Sequence, residues 1–462
     1  MPDGPGPVEK LAQRAYAKAT SPDVNDGFGA HVALSGDGQT LAVSADAEDS
    51  AAIGIDGNAL DNSAENAGAV YVFARATTGW RPQAYVKASN SSADDRFGIS
   101  LSLSDDGSTL AVGARGEASA STGVGGDEQD DSAIDAGAVY VFTRSAGVWG
   151  QQAYLKASNT DEGDNFGSQV ALSANGATLA VAAENEASAA SDVDGDQLDN
   201  SAPLSGAVYV FTRSAEVWAQ RAYLKSSNTE SDDFFGTTLA LSADGATLAV
   251  TATGESSSAA GIDGDQLNNS LPLSGAVYVF FRTDGNWKQQ AYVKASNTGI
   301  EDAFGRGLSL SANGSVLAVG ATGEDSAATG ANGDQLDNSA ASAGAVYLFH
   351  RAVDVWTQTA YLKASNTGAG DLFGISISLS GEGNLLAVGS SGEDSAARGI
   401  DGNQIDETGS NSGAVYVLKH TADEWVPRSY VKASNADRSD IFGKCVALSR
   451  DGATIAVGAA SE

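Results

Sequence analysis

The sequence predicts an all-β fold, a β-propeller of four-stranded blades, and three observations carry that expectation. Phe-Gly recurs at Phe28, Phe97, Phe166, Phe235, Phe304, Phe373 and Phe442, each step 69 residues with no insertion. Every copy shows four strand signals and none for a helix. The polar phase of those strands is Ser, Gly and Ala instead of charge, as expected where neighbouring sheets cover both faces. Recurrence this strict marks one supersecondary unit copied in tandem.

Taken in order, residues 1–7 (Met1-Pro-Asp-Gly-Pro-Gly-Pro) read as a disordered tail and residues 8–462 as a single propeller of repeats. Residues 8–20, with Tyr16 and Lys18, match a fourth strand that would close the ring by joining the last blade. In the next copy Phe97, Ile99, Leu101 and Leu103 alternate with small polar residues, the period of a strand. Asp106-Gly107 reads as a two-residue type I′ turn. That turn places Leu103 opposite Leu110, Leu101 opposite Val112 and Ile99 opposite Ala114. A third strand is expected from Ala138 to Arg144 and a fourth from about Trp149 to Ser158. After six full repeats the chain stops at Glu462, just past a second strand. The count is seven blades with the last incomplete, or six plus a partial one. The third strand of that last blade is missing. Either the N-terminal strand shifts inward or the chain is a truncated piece of a longer protein, and truncation is the expectation.

Composition bounds the partners. The chain carries 59 acidic against 26 basic residues, a formal charge of −33. Such a field repels nucleic acid and anionic membrane and attracts cations and basic surfaces, or simply keeps the protein hydrated. The single Cys445 excludes an internal disulfide framework and reads as a small buried hydrophobe. No apolar run reaches the length of a membrane span, and no signal peptide is visible.

The run from Phe-Gly through Leu-Ala-Val-Gly-Ala to Gly-Ala-Val-Tyr-Val-Phe and Trp resembles the FG-GAP repeat of integrin-alpha-type β-propellers, in its bacterial form. The resemblance covers nearly the whole chain. It implies an adhesion or ligand-binding module at a cell surface or outside the cell, with a protein or glycan ligand, as a monomer or part of a longer chain. One departure matters. The Asp-x-Asp-x-Asp-Gly calcium loop that the family carries between the first two strands is here a short Asp-Gly, Asn-Gly or Glu-Gly turn.

Candidate chemistry lies in recurrent carboxylates. Asp95 and its equivalents precede Phe-Gly by one residue, and Glu117 and its equivalents follow the second strand. Their roles are backbone capping and pairing with the strand-four lysines, or a shared divalent-cation site. The loop from strand two to strand three is richer. It offers Asp192, Asp194, Asp196 and Asp199 in one copy, and Asp56, Asn58 and Asp61 in another. The remaining copies offer Asp263, Asp265 and Asn268; Asn332, Asp334 and Asp337; and Asp401, Asn403 and Asp406. Closely spaced Asp and Asn around a Gly turn can supply the oxygens calcium needs, so calcium is the expected cofactor, and the same residues are also ordinary turn formers. In the second copy Gly125 stands at the first ligand position. Six Trp in register could stack sugars as in a propeller lectin, or could anchor packing. His31, His350 and His420 occupy scattered phases or lack partners, and the repeats break symmetry almost nowhere, so an enzyme is not expected. The alternative function is a purely structural acidic repeat.

Overall fold

The second blade shows how the repeat makes a sheet. Its strands run Phe97–Leu103, Thr109–Ala114, Ala138–Ser145 and Val148–Leu155, paired antiparallel in that order. Leu103 pairs with Leu110 and Leu101 with Val112, as the alternation requires. Ala114, however, pairs with Phe97 and not with Ile99, because the register shifts between Phe97 and Ser100. Gly98 permits that bulge, since its φ of 101° is a backbone state that side chains rarely tolerate. The turn also differs from expectation. Gly107 N–H donates to the Ser104 carbonyl, Ser104 N–H to the Thr109 carbonyl, and only Gly107 has a positive φ. The connection is thus a four-residue loop that keeps the leucine register without a type I′ turn.

The computed structural model describes residues 10–422 and 424–462. The expected tail at residues 1–7 lies outside them. Six four-stranded sheets and one two-stranded sheet, Cys445–Leu448 with Ile455–Gly458, make up the architecture. First strands touch one another in sequence around the ring, and Cys445–Leu448 touches both Ser376–Leu379 and Val32–Leu34. The molecule is therefore a propeller of six blades plus a partial one, closed at the partial blade.

The core lies between blades. One cluster joins Val70, Val72 and Val86 of the first blade to Phe97, Leu110, Tyr140 and Trp149 of the second, and the pattern repeats around the ring. Within each interface Phe97 meets Tyr140 edge-on at 5.5 Å and Tyr140 meets Tyr154 at 5.3 Å. A blade cannot bury its apolar faces alone, so each depends on its neighbours.

The N-terminal segment does not shift inward. Tyr16 donates to Glu462 Oε2 at 2.6 Å and Lys18 Nζ to the Glu462 carbonyl at 2.8 Å. Those two side chains stand where Tyr85 and Lys87 stand against Glu48, the fourth-strand place of a blade.

Candidate functional site

Odd-numbered connections, between the first and second strands, leave one face of the ring. The long loops from strand two to three and those from strand four to one leave the other, and the recurrent carboxylates gather there. The Glu that follows the second strand of each four-stranded blade is buried and engaged, whereas Glu462 of the partial blade is exposed. Glu186 accepts from Lys225 Nζ at 2.9 Å, Tyr223 Oη at 2.8 Å, Asn159 Nδ2 at 3.0 Å and Ser188 N–H at 3.1 Å. Asn159 comes from the preceding blade's last loop and also accepts from Tyr209 Oη at 2.6 Å, so it staples two blades. Burial pulls the Lys225 ammonium down from its ordinary value. Five further blades hold the same Lys–Glu pair at 2.7–2.9 Å. Pairing with the strand-four lysines, not a shared cation, is what this geometry displays.

The Asp before Phe-Gly caps its own loop: Asp164 Oδ2 accepts from Asp161 N–H at 3.0 Å. Burial pushes Asp95, Asp164, Asp233 and Asp371 up to about 7, with the nearby Glu of the same blade adding to the rise. The ordinary value is 3.8, so between the two the folded chain holds protons that the unfolded chain releases. Their contribution to stability is complete below the unfolded value and is lost as pH rises through about 7. Melting is accordingly expected several degrees higher near about pH 5 than near about pH 8, and Asp164→Asn should flatten part of that slope. A melting temperature that climbs with pH over this range would refute the assignment.

The Asp and Asn of the long loops also work as local caps. Asp56, Asp194, Asp263, Asn332 and Asp401 have φ of 53–56° and accept from the N–H of a strand-four Tyr, as Asp194 does from Tyr223 at 2.9 Å. A left-handed backbone explains why only Asp, Asn or Gly125 occurs there. Asn58, Asp196, Asp265, Asp334 and Asn403 each accept from the N–H two residues on. Asp61, Asp199, Asp337 and Asp406 do the same. Asn268 uses its carbonyl, which accepts from Ser258 N–H, and Asp192 takes the left-handed place that is Gly in the other copies. Among the described residues no group of three or more His, Cys, Asp or Glu converges as a metal site.

The sugar-stacking alternative is corrected by the packing of the tryptophans. Trp149, Trp218 and Trp356 are only 3–4 % exposed. Trp149 Nε1 donates to Gln83 of the preceding blade at 3.0 Å, and the Arg144 guanidinium covers its ring at 5.3 Å. These three rings anchor packing and leave no face for a sugar, whereas Trp80 is half-buried.

What the sequence reading missed is a break in symmetry around the axis. Asp46, Arg115 and Glu184 occupy one repeat position, which is Thr, Ser or Ala in the other blades. Arg306 and Lys444 share another, otherwise small or aliphatic. Arg115 reaches Glu184 at 3.9 Å and Arg96 reaches Asp46 at 3.9 Å, each across a blade boundary. Arg306 of the fifth blade acts on Glu184 of the third, and Lys444 and Arg115 act on His31 of the first, so these charges face a common axial mouth. Burial pushes His31 down to about 4 and raises Glu184. Cys445 stands at the His31 position of the partial blade, half-buried and accepting from Val32 N–H at 3.4 Å. Comparing the seven phases position by position would have exposed the departure.

Three segments, residues 80–142, 149–211 and 356–418, match the FG-GAP repeat family. The chain carries FG-GAP repeats within its β-propeller. Each matched segment starts at the Trp of a fourth strand and ends in the third strand of the next blade. The FG-GAP unit thus spans a blade boundary, the place where the core lies. No curated protein matches the chain in sequence.

Among solved structures, the propeller is similar to hydrazine synthase of Kuenenia stuttgartiensis, at 13 % identity and TM-score 0.48, covering 96 % of this chain and 98 % of that one. It is similar to the Pseudomonas aeruginosa periplasmic gluconolactonase at 14 % and 0.47, covering 94 % and 88 %. A putative 6-phosphogluconolactonase from Bacteroides uniformis follows at 12 % and 0.46, covering 88 % and 86 %. These likenesses carry no activity to this chain. The expectation that the chain is not an enzyme is corrected all the same, because the axial mouth removes its ground, the supposed lack of a unique site.

Proposed function

We propose that this propeller is a binding module, working at a cell surface or outside the cell, that holds an acidic group of a protein or glycan ligand at its axial mouth. The observation that carries the reading is the concentration of non-repeated charge there. Arg96, Arg115, Arg306 and Lys444 outnumber Asp46 and Glu184 at that mouth, on a chain whose formal charge is −33. A cationic mouth in an acidic surface focuses the field on a ligand carboxylate and repels basic groups.

Arg306 and Lys444 are exposed, so reversing both should spare the fold. The double variant Arg306→Glu, Lys444→Glu is expected to keep its melting temperature. On glycan and peptide arrays it should lose about tenfold or more in affinity for the carboxylate-bearing probes that the unaltered chain retains. Binding that ignores this variant would sink the proposal and favour a purely structural repeat.

We infer further that the Asp and Asn loops hold their shape by turn chemistry. The same arrays and melts in calcium and in EDTA at matched ionic strength should then agree. A calcium-selective rise in melting temperature would instead make those loops cation sites.

A further inference from the structure

One boundary between blades lacks an acceptor that its counterparts have. In the second blade the Trp149 Nε1–H and the Arg144 guanidinium both donate to Gln83 Oε1 of the preceding blade, at 3.0 and 2.9 Å. Gln152 receives Trp218 and Arg213 in the same way, at 3.1 and 2.9 Å, and Gln290 receives Trp356 and Arg351, both at 3.1 Å. Each of these arginines also donates to a threonine hydroxyl, that of Thr40, Thr109 or Thr247. Between the third and fourth blades the pattern breaks. Arg221 occupies the Gln position there, so a donor stands where an acceptor is needed.

The result is a cluster of donors with nothing to receive them. Trp287 is 6 % exposed, and its Nε1–H is buried with no partner among the described residues. The Arg282 guanidinium lies over that ring at 5.5 Å and makes no hydrogen bond among the described residues. Arg221 donates through Nε to Thr212 Oγ1 at 3.0 Å, on the side of the third blade that faces the fourth. The equivalent residue one blade on fixes that side, because the Phe281 ring carries the next blade's Arg351 guanidinium at 5.0 Å. Arg96, Arg115, Arg398 and Arg450 find carboxylates. Arg221 and Arg282 have none among the described residues, Asp284 of the adjoining turn included, on a chain with 59 acidic side chains. A buried N–H without an acceptor is costly, and two unpaired guanidinium groups beside it add mutual repulsion.

We propose that this flank between the third and fourth blades is an oxyanion site that takes a sulfate, phosphate or carboxylate group. One oxygen of the ligand replaces the Gln Oε1 of the other boundaries and accepts from Trp287 and Arg282. Another accepts from Arg221, whose charge the anion offsets. The fourth strand is the outermost of its blade, whereas first strands line the axis, so the site is separate from the axial mouth. It stands whether or not the mouth binds a ligand.

The test reads the indole N–H resonances of the isotope-labelled chain, with that of Trp287 assigned by its loss in Trp287→Phe. Sodium sulfate, phosphate and acetate are each titrated against sodium chloride at matched ionic strength. The Trp287 resonance is expected to move saturably, with a dissociation constant in the millimolar range for the free ion, while the other tryptophans hold still. A response to sulfate and phosphate alone assigns a tetrahedral group, and one that includes acetate extends the site to carboxylates. Arg221→Gln should keep its fold, since Gln83, Gln152 and Gln290 fill that position at other boundaries. By restoring the acceptor it should weaken the response by about tenfold or more. No saturable shift with any of the three salts would overturn the proposal, as a bound water would then suffice for Trp287. An equal response in Arg221→Gln, or all the indoles moving together, would overturn it too.

Discussion

Lys225→Met is expected to lower the free energy of unfolding by about 3–5 kcal/mol. The cost comes from what is left behind more than from what is removed. Glu186 is 1 % exposed and would be left in the interior with no cation within reach. Lys225 also donates to Ser205 Oγ at 2.7 Å, so the hydroxyl loses a partner as well. Adding Glu186→Gln should recover about half of the loss or more, because a neutral amide still accepts from Tyr223 and Asn159 while the unpaired carboxyl is gone. Denaturant titrations of the two single variants and the double would show the coupling. Additive losses would mean that the pair contributes through packing alone.

Gly206→Ala is expected to cost about 3 kcal/mol or more. Its φ is 78°, and a Cβ there would sit 2.1 Å from the carbonyl oxygen and 2.6 Å from the amide nitrogen of Phe235 in the next blade. Both obstacles are backbone, which cannot rotate away, so two blades would have to separate along a buried interface. Gly261 supplies the control: its φ is 76°, but a Cβ there would meet open space. Gly261→Ala should therefore cost only about 1 kcal/mol, the strain of the left-handed backbone. Similar losses at both positions would show that conformation, not the approach of the blades, makes the motif glycine necessary.

These two sites also mark where sequence reading reaches. The glycine before Ala-Val-Tyr and the Phe-Gly are 29 residues apart along the chain, as in Gly206 and Phe235, yet they are in contact, so the two halves of the repeat motif are one interface. The leucine register, Leu103 on Leu110 and Leu101 on Val112, was legible because alternation leaves one way to keep apolar residues face to face. The pairing of Ile99 was not, because a bulge at Gly98 moves Phe97 into its place. In the loops, Asp194 and Asp196 carry the composition of a calcium site, and composition cannot say that one oxygen of each caps the Tyr223 or Leu198 backbone N–H. His31 looked scattered and Arg115, Glu184 and Arg306 drew no notice because they lie in four different repeats, and only ring closure brings distant repeats to one axis.

By itself the sequence determined the repeat, its four strands, the inter-strand alternation and the acidity, because these follow from local periodicity and composition. The phase of Tyr16 and Lys18 with Tyr85 and Lys87 was also determined, since phase in a strict 69-residue repeat survives at any distance along the chain, although residues 10–20 form no strand. Which partners the buried charges take, which tryptophan faces are covered, and which unlike residues share the axial mouth were decided only in the tertiary structure. The reason is physical: hydrogen bonds and desolvation depend on neighbours in space, and in a closed ring those neighbours belong to other repeats.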